Sequence, residues 1–256
     1  MRLTAGILNA EGVITQFPKT SDFGMPGFFG RDISKLTKMI SVSSGRPCPL
    51  RKAFMANSTV EILCPSDYLS TANDEQTHAT DQFIQGLELS FKTRRSMISI
   101  ANLWKEDMPD GIENRDIAAY LKTAGICPLI RDSEEVSEAL GDDDRAESTA
   151  SSSSPALKVL AKLDFNKRIS EEKQAECARR CEVYRDWILS TIFETDSENK
   201  LKFMVFPALE GKSNRGDEPE PALDNDVHSL DDLLNGYAPT NMSSILQAPE
   251  LTVVGV

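Results

Sequence analysis

A chain that performs covalent chemistry needs a nucleophile, a base to activate it and donors that hold developing charge. Serine is concentrated in one run, Ser151 to Ser154, but acidic residues precede it and no glycine adjoins it to shape a turn that exposes a nucleophile. There is no Gly-x-Ser-x-Gly elbow, no His-Glu-x-x-His, no phosphate-binding loop and no Gly-x-Gly-x-x-Gly. The two histidines, His78 and His228, are far apart and signal no Ser-His-Asp arrangement. Lys35, Lys38 and Lys52 have no serine fixed to them by a motif. Cys177 and Cys181 stand four apart on a helical pattern, a spacing that a metal could use, yet neither histidine is near them in sequence. They read as buried thiols. No catalytic, cofactor-binding or metal-binding residue is assigned from these patterns, and no cofactor is expected.

Composition narrows the class. The 256 residues carry a formal net charge of −12, so nucleic acid and anionic membrane surfaces are disfavoured as partners by repulsion between like charges. No apolar run approaches the ~20 residues that cross a bilayer. The amino-terminal stretch has no charged-then-apolar leader pattern. The five cysteines, Cys48, Cys64, Cys127, Cys177 and Cys181, are odd in number and scattered, which argues against a disulfide framework. A soluble, cytoplasmic protein is the expectation.

The positioning elements follow from periodicity. Leu3, Ile7, Leu8, Val13 and Ile14 suit a glycine-bracketed hairpin, and Pro26-Gly27 makes a corner before a helix predicted from about Asp32 to Val42. Val60 to Cys64 reads as a strand stopped by Pro65. Asp74 to Phe91 reads as a helix with Phe83, Leu87 and Phe91 on one face. Ile98 to Trp104 is a short apolar run in which Trp104 is expected to anchor a core. A helix from Glu113 to Ala124 is closed by Gly125.

Asp132 to Pro155 is acidic and then serine-rich, with too little apolar surface to offset ordering, and is predicted to be a disordered linker. Beyond it, Ser170 caps a long helix running to Phe193. Its stripe is Cys177, Cys181, Tyr184, Ile188 and Ile192, with Trp187 at the edge. Phe203 to Pro207 reads as a buried strand. The chain thus divides into 1–131, a linker 132–155, and 156–256. The fold class is α/β, a mixed sheet flanked by helices.

Several of these residues resemble one family. Arg2, Thr4, Gly6, Gly12 and Val13, followed by Gly27 and Arg31, are similar to the segment that follows the nucleophilic serine in amidase-signature hydrolases. Gly24 stands where that pattern has Asp. Pro65-Ser66-Asp67-Tyr68-Leu69 and Tyr184-Arg185-Asp186-Trp187 resemble fungal members. The stretch Tyr237 to Ile245, then Ala248-Pro249-Glu250-Leu251-Thr252-Val253-Val254-Gly255, resembles the family's short helix, Ala-Pro step and core strand, with Val254 in place of proline.

The resemblance implies amide hydrolysis by a lysine, a serine held by a cis peptide bond and a nucleophilic serine. All three precede the Arg-x-Thr-x-Gly block in the family, and the sequence holds no counterpart. The expectation is a truncated amidase-signature protein, incomplete in its sheet and inactive alone. Self-association through that incomplete sheet is expected with it. Two alternatives stand: part of a longer, active amidase that hydrolyses small carboxamides, or a non-enzymatic protein that binds partners through the acidic linker.

Overall fold

The computed structural model describes residues 32, 35, 38, 39, 41, 42, 59–69, 73–124, 170–194, 200–207 and 235–252. The hairpin expected near the amino terminus and the linker expected over 132–155 lie outside these. Residues 35, 38, 39, 41 and 42 are helical, in line with the helix predicted there.

The centre of the molecule is strand β1, Thr59–Pro65. Its last four residues are all buried, which marks a strand covered on both faces. Alternation sends Ile62 and Cys64 to one side and Leu63 to the other. β1 lies between two parallel neighbours: β2, Arg95–Ile98, and β3, Lys200–Met204. The register places Leu63 opposite Ser96 on one side and Met204 on the other. Parallel neighbours need long crossovers, and helices supply them.

On one face lies α2, Asp74–Phe91, which follows the one-turn helix α1, Ser66–Leu69. Asn73 caps α2 by accepting from the amides of Glu75 and Gln76. Ile84 is the residue of α2 that reaches the core, against Ile62 and Cys64. Leu87 is half-buried there, and Phe91 meets Phe203 edge-on at 5.8 Å. Phe83, expected on the same inward face, is 43% exposed. A step of one residue is about 100° on a helix, and that rotation separates Ile84 from Phe83.

The other face carries α3, Ile100–Asp107, α4, Ile117–Leu121, α5, Glu171–Thr191, and α6, Pro239–Leu246. They bury the larger core around Trp104, which is 0% exposed, as expected of an anchor. Trp104 packs against Tyr120, Tyr184 and Trp187 with ring centroids 5.0 to 6.4 Å apart. The predicted stripe of α5 is the buried one, and Trp187 is fully part of it. This core combines residues from both sides of the 132–155 segment.

Four boundaries differ from expectation. The apolar run at Ile98 splits, because the Ser99 side chain caps a new helix through the amide of Asn102. The helix expected from Glu113 begins at Ile117, where Asp116 accepts from the amides of Ala118 and Ala119. The strand expected at Phe203 starts three residues earlier, at Lys200, which pairs with Thr59. Lys200 Nζ also lies 2.7 Å from Glu61 Oε2, which favours that register. At the carboxyl end, Glu250 makes a bridge, but Leu251 and Thr252 are exposed and outside any strand where a core strand was expected. There the Glu250 carboxylate is engaged locally by the hydroxyls of Ser243 and Thr252.

The architecture is α/β: helices on both faces of a small parallel sheet of three described strands. No helix among the described residues is long and apolar enough to cross a membrane.

Candidate functional site

In open parallel sheets, ligands bind outside the carboxyl ends of the strands. Here those ends bring together Ser66, Asp67 and Tyr68 after β1, Ser99 after β2, and Phe206 after β3. Pro65 ends β1, and the chain turns at once into α1, a single helical turn that projects three polar side chains in succession.

Each of them is engaged. Ser66 Oγ donates to the Ile98 carbonyl at 3.1 Å. Asp67 accepts from Ser99 Oγ at 2.9 Å and from the Ile100 amide at 2.6 Å, so its carboxylate sits at the amino terminus of α3. Negative charge is favoured there by the helix dipole. The Tyr68 hydroxyl donates to the Tyr237 carbonyl at 2.9 Å. Its ring lies 5.5 Å from Phe206 and 5.3 Å from Tyr237. Tyr184 of α5 completes the group from below and is fully buried.

The electrostatics make the three tyrosines neutral hydrogen-bonding elements. Burial pushes the hydroxyls of Tyr68, Tyr184 and Tyr237 above the ordinary tyrosine range, and nearby Asp67 adds to the effect at Tyr184 and Tyr237. A tyrosine held protonated can donate and accept a hydrogen bond but is a poor nucleophile. Asp67, holding a helix terminus, is not placed as a free base.

The other residues considered from the sequence are dispersed. Cys177 and Cys181 are both buried; Cys181 Sγ donates to the Ala124 carbonyl at 3.4 Å, and burial pushes its thiol up to about 12. Cys64, within β1, is buried and is also shifted upward by burial. Among the described residues, no group of three or more His, Cys, Asp or Glu could hold a metal ion. His78 is exposed on α2 with Nε2 2.8 Å from Gln82 Nε2. Lys35 Nζ is 4.0 Å from Asp32 Oδ2 on an exposed helical turn, and Lys38 is exposed beside it. Lys52, His228 and Ser151 to Ser154 lie outside the described residues.

The tyrosine group was not legible as a group in the sequence. Tyr68 and Tyr237 stand in two of the blocks singled out in the sequence and Tyr184 in the helix stripe, but their meeting requires the folded chain. The available signal was a tyrosine in each of three separate motifs.

No protein-family model matches the chain, and no curated protein or solved structure shows a significant match to it.

Proposed function

We propose that this chain is an amidase-signature-type α/β unit without amide-hydrolase activity of its own. The supporting observation is the contact between Tyr68 and Tyr237. These residues belong to two blocks that resemble the family, 169 positions apart, and one donates to the carbonyl of the other. Chance likeness in two separate stretches carries no requirement that they touch. The proposal of inactivity rests on the sequence, which holds no Gly/Ser-rich serine loop with a partner lysine. It also rests on the site, whose carboxylate and tyrosines serve as structural hydrogen-bonding groups.

The same contact favours a second reading, in which this unit works within a longer amidase acting on small carboxamides. The two separate on the natural product. Host extract is blotted with an antibody raised against Ser170 to Phe193, and the band is sequenced by mass spectrometry. A product of 28.3 kDa starting at Met1 supports the inactive reading. A larger product whose added sequence contains a glycine- and serine-rich loop and a lysine replaces the inactive reading with the second. A larger product whose added sequence lacks both removes the family reading.

A further inference from the structure

The outward side of α2 carries two large apolar side chains, Phe83 at 43% and Leu89 at 81% exposure. Between them stands Gly86, also exposed. Glycine within a helix is destabilising relative to alanine. Packing among the described residues does not call for it here, because a Cβ at Gly86 would meet no atom within 4 Å. Positions three and four apart share a helix side. Phe83, Gly86 and Leu89 therefore lie together with Gln82, away from the side that buries Ile84. An apolar knob and an open gap thus stand three positions apart on one surface. The ends of the helix differ in charge. Asp74 and Glu75 are exposed in its first turn. Lys92 and Arg94 are exposed just past its last residue, while Arg95 is taken up by Glu88 and Asp81.

We infer that α2 is a self-docking surface, on which a second copy of this chain lays its own α2 antiparallel. Pairing one surface with itself about a two-fold axis requires that it be self-complementary. Centred between Phe83 and Gly86, the axis sets each Phe83 over the Gly86 of the other copy, where the missing Cβ lets the ring approach the backbone. The eight positions from Phe83 back to Glu75 equal the eight from Gly86 on to Arg94. The acidic amino end of each helix therefore meets the basic carboxyl end of the other. A parallel arrangement would set like charges together. Charges remote from the helix pair, which give the chain its net −12, are screened at physiological ionic strength, where the Debye length is about 8 Å. One helix pair buries less than the roughly 1,200 Å² of a standard interface, so the dimer is a weak one. The docking stands independently of the amidase-type reading.

The test is sedimentation equilibrium of the full chain at physiological salt. The mass is expected to rise with concentration from 28.3 kDa towards twice that value. A mass that stays monomeric through the high micromolar range overturns the inference. Gly86→Gln fills the gap with a good helix former. It is expected to keep or raise the urea midpoint of the dilute monomer, yet to weaken the dimer on the order of tenfold or more. An unchanged dissociation constant overturns the inference and moves the contact elsewhere, such as to a sheet edge. Charge exchange checks the orientation. Glu75→Lys and Arg94→Glu are each expected to weaken self-association on the order of tenfold, since each puts two like-charged pairs into the dimer. Mixed in equal amounts, the two variants regain both opposite-charge pairs, and a mixed dimer tighter than either variant alone is expected. A mixture no tighter than its components overturns the antiparallel pairing.

Discussion

The indole Nε1 of Trp187 donates to the main-chain carbonyl of Asp107 at 2.6 Å, joining the carboxyl-terminal part of α5 to the last residue of α3. The carbonyls of a helix's last turn have no partner within the helix. Trp187 supplies one across 80 positions of sequence while its ring packs edge-on to Trp104 at 5.0 Å. Replacing Trp187 by Phe keeps an aromatic ring but removes the donor and part of the buried area. The expected loss is about 1–3 kcal/mol, read as a lower urea midpoint. An unchanged midpoint would mean that α3 and α5 are not held together in this way.

Asp67 ties α1 to the start of α3 through Ser99 and Ile100. Its replacement by Ala removes an acceptor from both donors and a negative charge from a helix amino terminus. The expected cost is about 1–3 kcal/mol. Asn at the same position retains an acceptor and is expected to recover part of that loss, which thermal unfolding of both variants would measure.

The charge cluster on the opposite face sets an acid limit. Arg95 bonds both carboxylate oxygens of Glu88 and also reaches Asp81. These hydrogen bonds hold the Glu88 carboxyl down at about 2, from an ordinary value of 4.5. A carboxyl depressed in the folded state contributes stability above its unfolded value and loses it as pH falls through the folded one. Stability is therefore expected to decline between about pH 5 and pH 2, and Glu88→Gln is expected to flatten that decline. An identical acid slope in the variant would assign it to other carboxyls.

The alkaline limit has the opposite sign. Cys181 is pushed from 9.0 up to about 12 by burial, and the three tyrosines of the carboxyl-end group are raised as well. The unfolded chain gives up these protons first, so stability is expected to fall as pH rises from about 9 towards 12. The native Cys181 thiol is also expected to resist alkylation at pH 8 and to react once urea unfolds the chain. Fast labelling under native conditions would place Cys181 outside the core.

Two helices were legible because their signals are local. Asn73 and Ser170 are side-chain caps directly before long periodic segments, and the structure begins α2 and α5 immediately after them. Strand β1 was legible from its apolar run and terminal Pro65. The strand β2 was not, because Arg95–Ile98 is four residues long and Met97 faces outward, 56% exposed. Its identity depends on pairing with Ile62 to Pro65. The register of β3 likewise depends on Thr59 to Leu63, and Leu201 and Lys202 give no apolar run to mark it. The candidate site was the least legible part. Asp67 and Tyr68 stood in a noted motif, but their partners Ser99, Tyr184 and Tyr237 are set by tertiary structure alone.

The central claim is the proposal of an amidase-signature-type unit that carries out no amide hydrolysis alone. It is tested most directly by incubating the purified 256-residue chain with benzamide and following ammonia release. The expected result is a rate equal to that of buffer at every protein concentration. Release that saturates with benzamide and scales with the amount of chain would contradict the claim and require a nucleophile within these residues.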